Sequence, residues 1–319
     1  MRIRKSGVYI SGTGSAIPSK IVTNDFLAAQ SPTNSSWVKS TLGIESRRHL
    51  NSDETLLSLC ISAAKLALMD AGKAIEEMDA IIVATSTPDF LNPSMASQLH
   101  GALGAKSETA AFDIQAVCSG FLFGLGVAVQ IVTDDLESNV LVLGADQFSK
   151  ITDFAKRDSV FFGDGTGAAV ISRSTDPEAF IAVDLYTDSS NWEGFHTPSK
   201  EGKFSMTGRL VKETATRELP VAIRKIIGEL GFTLQDIDAL FPHQPSKVVL
   251  DELEESLDLL PGVLKRNIEH RGNTAGATVP LLLDEYLKTS KLKPGALVAF
   301  AAIGSGWTWG AAVTKWIKA

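Results

Sequence analysis

A duplicated α/β architecture is what this sequence predicts, and three observations carry that expectation. The chain has 319 residues, beyond the ~100–200 of a usual single domain. Short apolar β-runs alternate with helical segments, the pattern of mostly parallel sheets covered by helices. Several features of the first half also recur in the second in the same order. In the first copy a helix leads through Gly72 and the acidic turn Glu76-Glu77-Met78-Asp79 into the strand Ala80–Ala84. In the second a helix leads through Gly231 and Gln235-Asp236-Ile237-Asp238 into the strand Ala239–Phe241, and the glycine-to-aspartate spacing is 7 residues both times. Further on, the strand Val140–Leu143 is echoed by Leu297–Ala301, and Gly167-Ala168-Ala169-Val170 by Gly310-Ala311-Ala312-Val313. The offset is 159 residues from Asp79 to Asp238 and 143 from Gly167 to Gly310, so order is kept while loops differ in length. The halves divide at 1–174 and 175–319.

Composition narrows the class. With 44% hydrophobic and 21% charged residues, 26 Gly and 12 Pro, the chain is neither disordered nor collagen-like. Its net charge of −7 argues against a general affinity for nucleic-acid phosphates. Two cysteines, Cys60 and Cys118, make no disulfide framework and suit a reducing cytoplasm. The run Val8-Tyr9-Ile10 is too short for a signal-peptide core. Ile114–Thr133 and Gly295–Thr314 are each 20 residues long and uncharged. The first lacks flanking Lys/Arg and an aromatic belt, and the second contains a Gly-rich bend, so both are expected in a soluble core rather than a bilayer.

In a duplicated α/β fold, ligands bind in the crevice at the carboxyl ends of the strands. Cys118 follows the apolar segment Ala110–Ile114 and opens the helix Ser119–Val132. An offset of about 155 from it lands on Asn273, before the helix Pro280–Leu287. His243 sits just past the strand Ala239–Phe241. A thiol at a helix start is expected to favour thiolate, and a Cys/His/Asn set suits nucleophilic chemistry. Each residue has a plainer reading: a buried small hydrophobe, a core histidine and a turn residue. Their joint placement favours the chemical one. Cys60, within the periodic segment Leu56–Leu68, reads as core. None of the five histidines has zinc-site spacing. Gly12-Thr13-Gly14 and Gly163-Asp164-Gly165-Thr166-Gly167 lack the rest of any nucleotide fingerprint and read as structural turns. The backbone N–H groups of Gly304-Ser305-Gly306 could instead face the crevice as an oxyanion hole.

Ala116-Val117-Cys118-Ser119-Gly120-Phe121, Phe162-Gly163-Asp164-Gly165, Pro242-His243-Gln244, Gly272-Asn273-Thr274 and Gly304-Ser305-Gly306-Trp307-Thr308-Trp309-Gly310 together resemble the β-ketoacyl-acyl-carrier-protein synthase III family. The resemblance spans essentially the whole chain. It implies the thiolase fold, a duplicated five-layer αβαβα arrangement, in a cytoplasmic homodimer that inserts in no membrane. It implies no cofactor and no metal, with CoA thioesters as substrates. Cys118 would take the acyl group from acyl-CoA, with the backbone N–H groups of Cys118 and Ser305 as the oxyanion hole. His243 and Asn273 would then support decarboxylative Claisen condensation with malonyl-CoA or malonyl-carrier protein. Trp37 matches the tryptophan that stacks on the CoA adenine, and Lys150 a basic residue near the CoA phosphates.

The departures bear on substrate choice. Asn92 stands where a bulky aromatic from the partner subunit often closes the acyl pocket, which predicts a longer or more polar donor than acetyl-CoA. Thr41 replaces a CoA-facing arginine. Val248, Glu255, Ser256 and Glu213 replace basic positions that meet acidic carrier protein. The segment Ser246–Leu259 reads as an amphipathic helix with Val248, Val249, Leu253, Leu257 and Leu260 turned inward. Its outward positions include Asp251, Glu252, Glu254, Glu255 and Asp258, which predicts that carrier protein is a poor second substrate. An acyltransferase of the same fold, passing the acyl group to an alcohol or amine, is the alternative. A non-catalytic partner subunit is disfavoured by the intact Cys118, His243 and Asn273. A hydroxymethylglutaryl-CoA synthase is disfavoured because Thr85–Asp89 offers no glutamate.

Overall fold

Runs too apolar to turn either face to water become the middle strands of two sheets. In the computed structural model, which describes residues 1–199 and 202–318, Ala80–Ala84 and Asn139–Asp146 are buried along their whole length, as is Leu297–Gly304. In chain order the strands are β1 (Arg2–Ser6), β2 (Val8–Ala16), β3 (Lys20–Thr23), β4 (Ser46–His49), β5 (Ala80–Ala84), β6 (Ala110–Ile114) and β7 (Asn139–Asp146). They continue with β8 (Gly165–Arg173), β9 (Phe180–Thr187), β10 (Phe195–His196), β11 (Ser205–Met206), β12 (Ile237–Pro242), β13 (Leu297–Gly304) and β14 (Thr308–Lys315). One five-stranded sheet runs β2-β8-β7-β5-β6 and the other β1-β9-β14-β13-β12. In each, a parallel pair (β5/β7, β12/β13) continues into an antiparallel one (β7/β8, β13/β14).

The longer helices fall into matched pairs. These are α1 (Leu56–Ala71), α2 (Met95–Leu103), α3 (Gly120–Ile131), α4 (Gly208–Glu229), α5 (Lys247–Leu257) and α6 (Thr278–Thr289). α1 precedes β5 as α4 precedes β12, α2 and α5 follow those strands, and α3 and α6 precede β7 and β13. α3 and α6 lie between the sheets, in one core cluster with residues of both, while α1 packs on β2 and β8 and α4 on β14 and β13. This is the five-layer αβαβα arrangement expected from the resemblance.

The echoes in the sequence have physical causes. Gly72 (φ 64°) and Gly231 (φ 81°) take the left-handed conformation that ends α1 and α4. The Asp79 carboxylate accepts the N–H of Asn139 at 3.1 Å, and Asp238 accepts that of Leu297 at 2.8 Å. Asn139 and Leu297 are the first residues of β7 and β13, so each aspartate caps the same strand start. The counterpart of β6 has shrunk to a single parallel bridge between Leu240 and Leu264. β1 is an addition to the second sheet, paired antiparallel with β9.

Several expectations need revision. Gly12 and Gly14 lie inside β2, and Gly165 and Gly167 inside β8, rather than in turns. A Cβ on Gly12 would stand 2.3 Å from the carbonyl oxygen of Ala67, and one on Gly14 2.3 Å from that of Ala63. These glycines let α1 lie directly against the strand. Leu260 is exposed, because α5 stops at Leu257 with Asp258 in a left-handed conformation (φ 49°). Among the described residues no helix is long and apolar enough to cross a membrane. The uncharged stretches are α3 with its entry turn and the β13/β14 hairpin.

Two glycine substitutions should move stability in opposite directions. Gly12→Ala forces a methyl group against fixed backbone and should cost about 1–3 kcal/mol. Gly228→Ala, in α4 with nothing near its Cβ, should add roughly 0.5–1 kcal/mol. Urea midpoints of the two variants against the parent protein test this, and a neutral Gly12→Ala would contradict the close approach.

Candidate active site

β6 ends at Ile114, and the chain must turn sharply to enter α3. Val117 makes the turn with φ 47°, a conformation that β-branched residues rarely adopt. Cys118 is thereby set, buried, in the single 3-10 turn Val117–Ser119 at the head of α3. α6 is entered in the same way, by Ala275 (φ 49°) and the turn Ala275–Ala277. These turns, α3 and α6, and β7 and β13 are each related by 158 positions, as from Val117 to Ala275. The counterpart of Cys118 is therefore Gly276, and Asn273 corresponds to Gln115. The sequence offset of about 155 fell short because it averaged loops of unequal length.

Cys118, His243 and Asn273 line one cavity of about 540 Å³, together with Gly304. His243 follows β12, and its backbone N–H donates to the Ala301 carbonyl at 2.7 Å. The buried Gln244 anchors the loop, its Nε2 donating to the carbonyls of Pro242 (3.0 Å) and Lys265 (3.2 Å). Among the described residues no group hydrogen-bonds to His243 Nδ1. Burial pushes the imidazole down to about 3, so it is neutral at pH 7 with one N–H to donate. The Asn273 backbone is clamped to the Phe161–Gly163 segment by bonds of 2.9 and 3.0 Å. Its Oδ1 accepts the N–H of Ala275 at 2.9 Å, leaving Nδ2 as the donating end.

The thiol departs from expectation. Burial pushes Cys118 well above the ordinary thiol range, and the Asp146 carboxylate pushes the same way. Its own N–H and the helix start oppose this, but a helix terminus is worth at most ~2 kcal/mol. Resting Cys118 is thus a thiol. The Cys118 N–H lies at the head of α3, beside Gly304. Gly304 runs so close to it that a Cβ there would come within 2.8 Å of the Cys118 nitrogen. Ser305 is fixed by its hydroxyl, donated to the Phe195 carbonyl, and by its own carbonyl, which accepts from Thr308 Oγ1 at 3.1 Å.

At the mouth, Trp37 and Thr41 line the cavity. Sequence reasoning missed Arg157, whose guanidinium carbon lies 3.6 Å from the centroid of the Trp37 ring. The signal available was the Lys156-Arg157 pair just before Phe161-Phe162-Gly163. Arg209 and Lys212 of α4 complete a cationic rim, with Lys212 bonded to Glu252 at 2.5 Å. Lys150 does not line the cavity. Its short helix is tied down where Ser149 donates to Asp164 through N–H (2.9 Å) and hydroxyl (2.6 Å), and Lys150 Nζ reaches the Pro88 carbonyl instead. Asn92 is exposed outside the cavity of its own chain. On α5, Asp251 is paired with Lys247 and Arg266, and Glu254 with Arg266, so less of its acidic face is free than the sequence implied.

Comparison with known proteins gives a consistent result. The family model for 3-oxoacyl-(acyl-carrier-protein) synthase III matches residues 112–189, and the model for the C-terminal part of 3-oxoacyl-(acyl-carrier-protein) synthase III matches residues 227–316. The chain is 37% identical to a β-ketoacyl-(acyl-carrier-protein) synthase III of Desulfitobacterium hafniense, over 98% of each chain. It is 36% identical to that of Prochlorococcus marinus, over 97% of this chain and 96% of the relative. The crystal structure of the Aquifex aeolicus synthase III superposes with a TM-score of 0.91 at 35% identity, covering 97% of this chain and all of that one. A priming β-ketosynthase of the R1128 polyketide pathway superposes equally well (0.91) at 28% identity, over 98% and 97% of the two chains.

The raised thiol has a direct readout. Alkylation of Cys118 by iodoacetamide, followed by peptide mass spectrometry, should be slow at pH 7 and still accelerating at pH 9, above the ~8.5 of a free cysteine. A rate that levels off near pH 7 would mean that the helix start wins over burial.

Proposed function

The chain belongs to the 3-oxoacyl-(acyl-carrier-protein) synthase III family of condensing enzymes, and we propose that Cys118, His243 and Asn273 carry its two half-reactions. The observation behind this is one cavity lined by all three residues, with a neutral imidazole, a fixed amide and the thiol of Cys118 converging on it. In the first half-reaction the Cys118 sulfur attacks the thioester carbon of an acyl-CoA. The Cys118 and Ser305 N–H groups hold the oxyanion, the C–S bond to CoA breaks, and the thiol proton leaves with CoA. In the second, a malonyl thioester loses CO₂, and the electron pair moves onto its thioester oxygen. His243 and Asn273 donate to that oxygen, each such donor being worth ~2.7–4 kcal/mol. The enolate carbon then attacks the acyl-enzyme, the bond to Cys118 breaks, the released thiolate takes up a proton from solvent, and a 3-ketoacyl thioester departs.

The cationic rim of Arg157, Arg209 and Lys212 suits the phosphates of CoA, and the Trp37 ring, half-buried at the mouth under Arg157, suits its adenine. Lys150 has no part in this reading. Glu255 and Asp258 of the α5 segment have no cationic partner among the described residues, which favours malonyl-CoA over an acidic carrier protein docked on that helix. We also assign a homodimer formed through β6. Among the described residues that strand is paired only on its β5 side, and Ala111, Phe112 and Ile114 are apolar yet only partly buried. Phe90 and Leu91, 59% and 93% exposed, lie in the loop that ends at Asn92 and leads to α2. Edge strands of this kind are templates for pairing with another chain. A second copy there would account for the exposure of Asn92 within its own chain.

Intact-protein mass spectrometry tests the assignment of roles. A panel of acyl-CoAs should add one acyl mass at Cys118, and Cys118→Ala should add none. His243→Ala and Asn273→Ala should lower malonyl-CoA decarboxylation by roughly 100-fold while changing acylation far less. Equal loss in both half-reactions would contradict the division of labour. Running the second half-reaction with malonyl-carrier protein across a salt series adds the acceptor. A preference for the carrier that fades with salt would overturn the malonyl-CoA assignment.

The dimer has its own test. Phe112→Lys should convert a dimer to a monomer in sedimentation and lower condensation. A parent protein that sediments as a monomer would remove this part of the reading.

A further inference from the structure

Asp146 is a fully buried carboxyl group at the centre of the molecule that the steps above do not use. It is the last residue of β7. Its Oδ2 accepts the N–H of Gly276 at 2.9 Å, and its Oδ1 accepts the N–H of Ser86 at 2.8 Å and the Thr87 hydroxyl at 3.0 Å. No cation pairs with it among the described residues, and burial pushes the carboxyl up to about 7. Hydrogen bonds alone hold it in place.

The internal repeat shows what this arrangement is. Across the 158-position offset, Asp146 corresponds to Gly304 and Gly276 to Cys118. The match extends to the bonds around them: the Ser119 N–H donates to the Ala116 carbonyl and the Ala277 N–H to the Thr274 carbonyl, both at 3.1 Å. In the first half the N–H of Cys118 faces a glycine, which leaves room for a substrate oxygen. In the second half the equivalent N–H of Gly276 meets the protein's own carboxylate. The second half therefore contains a copy of the oxyanion site that Asp146 fills permanently.

Filling that copy matters for Asn273. Gly276 follows Ala275, whose left-handed φ of 49° must be held by its surroundings. The Ala275 N–H is also the group that fixes the Asn273 amide. We infer that Asp146 is a positioning residue for Asn273: anchored on the Ser86–Thr87 loop, its carboxylate holds the Ala275–Gly276 turn and so aims the Asn273 Nδ2 at the malonyl thioester. This rests on the role given to Asn273 above. It adds a residue from the nucleophile's half of the chain to the decarboxylation step.

The test is a double-mutant cycle read on the two half-reactions. Asp146→Asn replaces an acceptor by an amide and misorients the turn, and a displacement near 1 Å can cost about 100-fold. Malonyl-CoA decarboxylation should fall at least roughly tenfold, while acylation of Cys118 should be no slower, because the carboxylate that raises the thiol has gone. In an Asn273→Ala background, Asp146→Asn should change decarboxylation less than about twofold, since the group it positions is absent. A merely structural aspartate would slow both half-reactions alike, or give losses that multiply in the double variant, and either result overturns the inference. If Asp146→Asn does not fold, Thr87→Val weakens the same anchor, and an unchanged ratio of the two half-reactions in that variant overturns it. An Asn273→Ala variant that does not itself lower decarboxylation selectively overturns the reading of Asn273 and this inference together. Selective loss in Asn273→Ala with non-selective loss in Asp146→Asn overturns this inference alone.

Discussion

Two left-handed turns, at Val117 and Ala275, are the constraint on which the rest of this structure depends. Each admits the chain to a helix buried between two sheets, where neither helix start can be solvated. The unpaired N–H groups at such starts must find partners or be left for a ligand. At Gly276 the partner is Asp146, and at Cys118 it is reserved for substrate. The turns also abut one another, since a Cβ on Gly276 would lie 3.1 Å from the Val117 carbonyl oxygen. Nucleophile and amide are thus positioned by one packed centre rather than by separate loops.

The same burial sets the electrostatics. Removing water raises the Cys118 thiol and lowers the His243 imidazole, so the resting pair is neutral. A site of this kind works through donors fixed in advance and aimed at charge that appears only during reaction. The cationic groups are kept to the mouth, where Arg157, Arg209 and Lys212 remain near water and can meet an anionic substrate without a large desolvation cost. The division between an inner chamber without cations and a cationic rim fits a thioester whose reactive end is uncharged and whose carrier end bears phosphate.

Duplication explains how such a site arises. Both halves have the same strand caps, at Asp79 and Asp238, and the same entry turns, yet their strand ends differ: Asp146 in one half and Gly304 in the other. A single exchange of carboxylate for glycine separates a sealed N–H from an open one. The second half has in turn lost most of the strand equivalent to β6, retaining only the Leu264 bridge, and β1 has been added at its far edge.

The sequence by itself determined the architecture, because strand and helix periodicity, the Gly72 and Gly231 stops and the aspartate caps are local features repeated in order. It also singled out Cys118 and His243 from their places after strands, and Asn273 from a repeat offset that was three positions short of the true one. Other features were decided only by the tertiary structure. The protonation state of Cys118 depends on burial and on Asp146, 28 positions away in the chain, and local helix chemistry pointed the wrong way. The stacking of Arg157 on Trp37 and the withdrawal of Lys150 to Pro88 depend on how distant loops meet. The glycines of β2 looked like turn residues because nothing nearby in sequence reveals the helix that presses on them. Such properties arise from contacts between segments remote in sequence, and these exist only once the chain has folded.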